Sequence, residues 1–472
     1  MRVPHVRADR YPCQSEPDDR YHPISAYSPC GTIPRRQGWP AKARNIRAFA
    51  MAIIEVLPRR LRERIEQLGA IGRDPAGGLT RLPFAPAHVE ALQRSAQMMR
   101  EAGLDAGVDE FGNLIGRRAG RRDAALLAGS HLDTVPQGGI FDGALGVVAA
   151  IECAQVLHDA GRPLQHSLVV MAFADEEGHA FGVGTMSSRA LVGELGRSRL
   201  AQLRDGTGRS VDEYLRARAH GLPAARVPAE VDAYVELHIE QGPVLEQMGR
   251  TVAAVESITG ILRAPVVIEG RAAHAGTTSM PGRADALVGA ADLVLAVREL
   301  ALAERGRAVG TIGRVHVQPG ATNVIPGRVD LTVELRSPEA KVLETLRGAV
   351  EDRAHKIAGL HGLKMTWGTW DHSPPVPLDP RVRDAVVGAI ERCGHPPLTL
   401  PSWAGHDAGV LSRYVPAGMI FVVSTGGLSH SPDERTPWDA VETGAQVLLE
   451  TLLLLDEAPG MNRRLPLAYT TR

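Results

Sequence analysis

A chain of 472 residues is longer than one ordinary hydrophobic core supports and implies more than one domain. Its 53 Lys+Arg against 54 Asp+Glu leave no global field of either sign, which argues against a nucleic acid or an anionic membrane as partner and for a small molecule. No apolar run approaches the roughly 18 residues of a membrane span, and Cys13, Cys30, Cys153 and Cys393 form neither a CxxC pair nor a disulfide framework, so the expected setting is reducing and cytoplasmic.

In chain order, residues 1–50 are rich in Pro, Arg, Ser and Tyr without periodicity, and Arg35-Arg36 lacks the apolar stretch of an export signal. This segment is expected to be disordered or to belong to an upstream start, with Met51 opening a regular stretch of helical apolar spacing. An amphipathic helix follows in AHVEALQRSAQMMREAGL. The short apolar runs AALLAGS and SLVVMAFA then flank the helical LGVVAAIECAQVLHDAG. Strands alternating with helices predict a mostly parallel sheet covered on both faces. From about residue 256 the order becomes strand, helix, two strands, helix, strand, the ferredoxin-like arrangement, complete near residue 370. The helix PRVRDAVVGAIERCG, the strand MIFVVS and a terminal helix through VETGAQVLLETLLLL then resume the first pattern. The expected organisation is one discontinuous α/β domain over 51–255 and 371–472, with a smaller α+β domain inserted at 256–370.

Ligands collect at the carboxyl ends of parallel strands, and that is where the polar groups fall. His131 and Asp133, in GSHLD, share one side of an extended segment, so Asp133 is placed to bond His131 and set its tautomer. Alone, H-x-D reads as an ordinary surface histidine, and Asp142 in GGIFDGALG as a helix cap. Glu176 and Glu177 in DEEG repel one another unless a cation lies between them, the alternative being a solvated acidic turn. His238 in VELHIEQGP and His430 in STGGLSHSPDE complete a set of five nitrogen or carboxylate donors just past apolar strands. Together they suit divalent cations in a hydrolytic site.

GSHLDTVPQGGIFDG, FADEEG, ELHIEQGPVLE, GRAAHAGTTSMPGRADAL, ATNVIPGRVDLTVELRS, AGHDAG and GGLSHSPDE resemble, in order and spacing, the M20 metallopeptidase superfamily. The resemblance covers about residues 58 to 457. It is nearest to the amidase, hydantoinase and carbamoylase branch, which contains N-carbamoyl-L-amino acid hydrolase and allantoate amidohydrolase. It implies a zinc-peptidase-like catalytic domain, an inserted lid that makes a homodimer, and two divalent ions per subunit, zinc first, with manganese, cobalt and nickel also accepted by such ligands. By resemblance Asp142 bridges the ions, His131 and His238 complete one site and Glu177 and His430 the other. Glu176 becomes the general base, Asp133 stands with it among the catalytic residues, and His274 stabilises the oxyanion, in cis or across the dimer. Gln241, Asn323, Arg336 and Gly405, with His274, hold the substrate. The implied reaction is hydrolysis of the carbamoyl or ureido C–N bond of an N-carbamoyl-L-amino acid or allantoate. A dipeptidase or N-acyl-amino acid hydrolase on the same fold is the second reading, and a catalytically silent binding protein a remote third. The sequence departs from the family pattern at His179-Ala180-Phe181, Ser279-Met280 and Trp403, none of them a proposed ligand.

Overall fold

The computed structural model describes residues 54–460 and 463–469; the expectation for residues 1–50 lies outside them. Seventeen strands are labelled in chain order. They are β1 Asp105–Val108, β2 Leu114–Arg118, β3 Ala125–His131, β4 Ser167–Phe173, β5 Glu230–Ile239, β6 Val252–Ile258, β7 Gly260–Glu269, β8 Ala273–His274 and β9 Val309–Gln318. There follow β10 Val324–Ile325, β11 Arg328–Ser337, β12 Lys364–Trp367, β13 Asp371–Ser373, β14 Val376–Pro377, β15 Thr399–Ser402, β16 Ala417–Val422 and β17 Arg463–Arg464.

The large sheet runs β1-β2-β4-β3-β5-β16-β6-β14, with β15 beside β6 and β17 beside β5. Its centre, β4-β3-β5-β16, is parallel, and every residue of β3, β4 and β16 is buried. The expectation of a mostly parallel sheet holds for this centre only. The flanking pairs β1-β2, β2-β4, β6-β16 and β6-β14 are antiparallel, the first because its turn is too short for a crossover, while β15 runs parallel to β6. The helix Ala144–Asp159 is buried from Ala144 to Leu157, which explains a sequence apolar on all sides.

The second sheet is antiparallel in the order β12-β7-β11-β9, with β13 also on β7. In chain order that is 4-1-3-2, the ferredoxin-like arrangement, and its helices are Ala286–Ala303 and Ala340–His361. Asp285 caps the first of these, accepting from the amides of Leu287 and Val288. Its core, built around Leu262, Leu293, Val333 and Leu346, is separate from that of the large sheet. Sheet membership changes between Ile258 and Gly260 and again between Ser373 and Val376, a few residues later than the spacing predicts, because β6 and β13 extend their ladders across those positions.

Candidate metal centre

The parallel centre of the large sheet brings its carboxyl ends to one edge. His131 ends β3, Glu176 and Glu177 follow β4, His238 lies one residue before the end of β5, and the loop after β16 carries His430. Asp142 enters from the turn between β3 and the helix Ala144–Asp159. Gly143 there has φ +67°, and a Cβ on it would lie 2.4 Å from His131 Cε1, so the turn needs glycine.

Everything converges on the Asp142 carboxylate. Its Oδ1 lies 3.5 Å from His131 Nε2 and 3.3 Å from His238 Nε2, and its Oδ2 lies 3.5 Å from His430 Nε2. Glu177 Oε2 is 3.2 Å from His430 Nε2. His131, Asp142 and His238 form one set of donors, and Asp142, Glu177 and His430 another, the atoms within each set lying within 4.8 Å of one another. These are the two ligand sets the resemblance implies; His131 with Glu176 and Glu177 forms a third set.

The donor chemistry tests whether a cation fits. His131 Nδ1 lies 3.0 Å from the Asp133 carbonyl and His238 Nδ1 2.8 Å from the Ile239 carbonyl, so each Nδ1 carries hydrogen and each Nε2 is turned to Asp142. Asp142 Oδ1 is buried and has no hydrogen-bond partner. The gaps to it exceed the ~2.7–2.9 Å of a charge-assisted hydrogen bond. Electron-rich atoms facing one another at such spacing are the signature of a divalent cation site.

Supports surround the cluster. The structure differs from expectation at Asp133: its main-chain carbonyl meets His131, while its carboxylate, 3.8 Å from the ring, accepts from the amides of Glu176 at 3.3 Å and Glu177 at 3.2 Å. The side chain is drawn away because two amides at the end of β4 outcompete one imidazole. Asp133 thus ties the β3 end to the acidic pair. Gln241 donates to Asp142 Oδ2 at 2.9 Å and Ser429 at 2.6 Å. Gln241 therefore touches the shared carboxylate.

The charges follow from burial and neighbours. Burial lifts the Glu176 carboxyl well above its ordinary range, against the pull of His131 and with help from Glu177, Asp407 and Asp133. For Asp142 burial acts in the same sense but loses to the imidazoles of His131 and His238, which hold it well below. His430 is raised to about 9, first by its bond to Glu177.

Several participants are not among the site residues expected from the sequence. Glu434, four residues past His430, accepts from the amides of Phe141 at 2.9 Å and Asp142 at 3.1 Å, and from Ser429 at 3.2 Å. It clamps both ligand-bearing loops, and a Cβ on Gly139 would collide with it at 2.0 Å. His406 stands edge-on to His238, ring centres 4.6 Å apart, and Asp407 accepts from Ser188 at 2.5 Å. Both belong to the AGHDAG motif, whose presence could have pointed to them as it points to Gly405. Arg81, fully buried, donates from Nε to the Leu132 carbonyl at 3.0 Å and from Nη1 to the Leu68 carbonyl at 2.7 Å, bracing the His131–Asp133 segment. A lone arginine in GLTRLPF gives no hint of this.

The remaining expected residues lie at the two-stranded β8/β10 ladder, on β11 of the second sheet and in the loop after β15. His274 and Asn323 sit together at the short β8/β10 ladder, where the Ala275 amide donates to the Asn323 carbonyl at 2.9 Å; both are exposed. His274 Nδ1 accepts from the amides of Gly276 and Thr277, so its hydrogen bonds stay within its own loop. Arg336, near the end of β11, donates to Glu334 at 2.7 Å and to the Trp403 carbonyl at 2.9 Å, which brings it to the loop of Gly405. Gly405 is exposed, with open space about its Cα.

Residues 127–454 match peptidase family M20/M25/M40. An N-carbamoyl-L-amino acid amidohydrolase of Geobacillus stearothermophilus is 42% identical over 399 residues, spanning 83% of this chain and 97% of that relative. An allantoate amidohydrolase of Escherichia coli (strain K12) is 34% identical over 408 residues, 85% of this chain and 96% of the relative. A crystal structure of an amidase of the hydantoinase/carbamoylase family from Burkholderia multivorans superposes with a TM-score of 0.80 at 34% identity, covering 86% of this chain and 99% of that one.

Proposed function

The chain belongs to peptidase family M20/M25/M40, and on that premise we propose that it is a hydrolase of non-peptide C–N bonds, cleaving the carbamoyl group of an N-carbamoyl-L-amino acid or the ureido group of allantoate. The observation that carries this reading is the convergence of three imidazoles and Glu177 on one buried, partly unpartnered Asp142 carboxylate. Asp142 would be shared by two divalent cations, zinc first, one of which His131 and His238 would hold and the other Glu177 and His430. Bound there, such cations acidify water and polarise a carbonyl.

This chain's own groups do the rest. Glu176, 9% exposed and beside His131 at 3.8 Å, accepts the proton of the attacking water and passes it to the departing nitrogen. A carboxylate committed to a cation cannot carry a proton as well, so the base and the ligand are separate residues, Glu176 and Glu177. Asp133 holds the backbone of Glu176 in place. Arg336, Asn323, Gln241 and Gly405 hold the substrate's carboxylate and amide, and His274 stabilises the oxyanion. Arg336 supplies a planar fork for a carboxylate once it exchanges Glu334 for substrate.

Two copies assemble through the smaller sheet, the domain we assign to residues 256–370. Leu295 and Leu302 on the helix Ala286–Ala303 are 57% and 61% exposed, and β9 is an open sheet edge beside them. The free thiols Cys153 and Cys393 fit a reducing compartment such as the cytoplasm. No helix of the described residues is long and apolar enough to cross a membrane.

The test is ammonia release by zinc-loaded protein from N-carbamoyl-methionine, allantoate and N-carbamoyl-β-alanine. Turnover of the first or second, abolished by chelation and restored by metal, is expected. Release from none of them, with cleavage of dipeptides instead, overturns the assignment.

A further inference from the structure

His274, to which the proposed function gives the oxyanion, opens a loop that belongs to neither apolar core. The loop runs from the end of β8 to Asp285, the cap of the helix Ala286–Ala303. Gly276, Thr277, Ser279 and Met280 are exposed along it, Met280 at 73%. A segment with so little buried surface holds one shape only through its polar groups. Two side chains supply them.

The first is His274 itself. Its Nδ1 accepts from the amides of Gly276 at 3.0 Å and Thr277 at 3.2 Å. A ring nitrogen that accepts carries no hydrogen, so the neutral imidazole has its hydrogen on Nε2. That N–H is the donor left for a developing oxyanion. The second is Arg283, half-buried, whose Nη2 donates to the carbonyls of Ala275 at 2.7 Å and Thr278 at 2.6 Å. Its Nε donates to those of Thr278 at 3.2 Å and Ser279 at 3.3 Å. One planar cation thus gathers three carbonyls of the loop, a task suited to a guanidinium fork and beyond the single nitrogen of a lysine.

The two side chains meet in one peptide unit. The carbonyl of Ala275 and the amide of Gly276 share a plane and point in opposite directions. Arg283 binds that unit on one side and His274 Nδ1 on the other. A cation on the carbonyl also polarises the unit and strengthens its N–H as a donor. Main-chain bonds from the Thr278 amide to the His274 carbonyl at 3.2 Å and from the Ala275 amide to the Asn323 carbonyl at 2.9 Å tie the same turn to the β8/β10 ladder.

We propose that Arg283 is a positioning residue for the reaction: by orienting the peptide between Ala275 and Gly276, it holds the His274 ring in one orientation with Nε2–H as the donor. The proposal rests on the oxyanion role given to His274.

The test compares turnover of the zinc-loaded protein, on the better of N-carbamoyl-methionine and allantoate, with that of R283A, H274A and R283A/H274A. His274→Ala is expected to lower kcat by about 10²–10³-fold, the loss of one oxyanion donor, and Arg283→Ala by about 10–100-fold with KM and metal content little changed. The double variant is expected to be no slower than H274A, because Arg283 acts through His274. Arg283→Lys is expected to recover only part of the loss. In metal-free protein, Arg283→Ala is expected to speed hydrogen exchange over residues 274–280. Wild-type turnover in H274A overturns the oxyanion reading and the proposal with it. With H274A impaired, the proposal alone is overturned by wild-type turnover or unchanged loop exchange in R283A, by full activity in Arg283→Lys, or by losses that multiply in the double variant.

Discussion

The two halves of the site are in different states of readiness. At the carboxyl edge of the large sheet, His131, Asp142 and His238 are buried, and each is held by a second group: the Asp133 carbonyl, Glu434 and the Ile239 carbonyl. Away from the large sheet, His274 and Asn323 are exposed at the β8/β10 ladder, and Arg336 spends its guanidinium on Glu334 and Trp403. The cation-binding half is preorganised within one chain. Under the proposed function, the substrate-holding half must rearrange before it can meet the reacting carbonyl. The difference arises because the cation ligands share one sheet and core, whereas His274, Asn323 and Arg336 lie outside that sheet.

Four measurements break or sharpen this contrast. The largest effect is expected at Glu176: Glu176→Gln should keep its metal content, read by elemental analysis, yet lower kcat by about two to four orders of magnitude. Unchanged turnover would remove it from the reaction. Glu434→Gln comes next, since a carboxamide replaces an acceptor of three donors with a poorer one; divalent-cation affinity should fall about 10–100-fold, the range for a lost supporting partner, with KM little altered. If affinity is preserved, the clamp is not what readies the cluster.

Arg336→Ala should raise KM for carboxylate-bearing substrates by about tenfold, the loss of one charge-assisted contact, and leave cation affinity alone. A fall in cation affinity instead would mean that the two halves are not separate. The smallest effect concerns the opposite, amino edge of the large sheet, where His166 lies between Asp232 at 2.8 Å and Asp456 at 3.0 Å. Asp456 and then, against burial, Asp232 raise the affinity of His166 for its proton. A histidine raised on folding stabilises fully below its unfolded value of about 6.5, and that contribution is lost as pH rises through the folded value. The urea midpoint of the metal-loaded protein should therefore decline above neutrality, and His166→Gln should flatten the decline; an equal slope in both would assign the pH dependence to the metal edge.

What could be read from residue order alone was whatever repeats locally or recurs in relatives. The apolar runs of β3 and β4, the helix between them, the ferredoxin-like order and the five donors after apolar strands were all legible. Period and placement carry such information without any knowledge of packing. Tertiary structure decided what depends on meetings across the chain. Glu434 reaches back 293 residues to Phe141, Arg81 spans 51 residues to Leu132, and Asp133 turns its carboxylate to the end of β4 rather than to the histidine two residues away. The antiparallel flanks are of the same kind. A hydrogen bond is a property of two surfaces brought together, and one stretch of sequence describes only one of them.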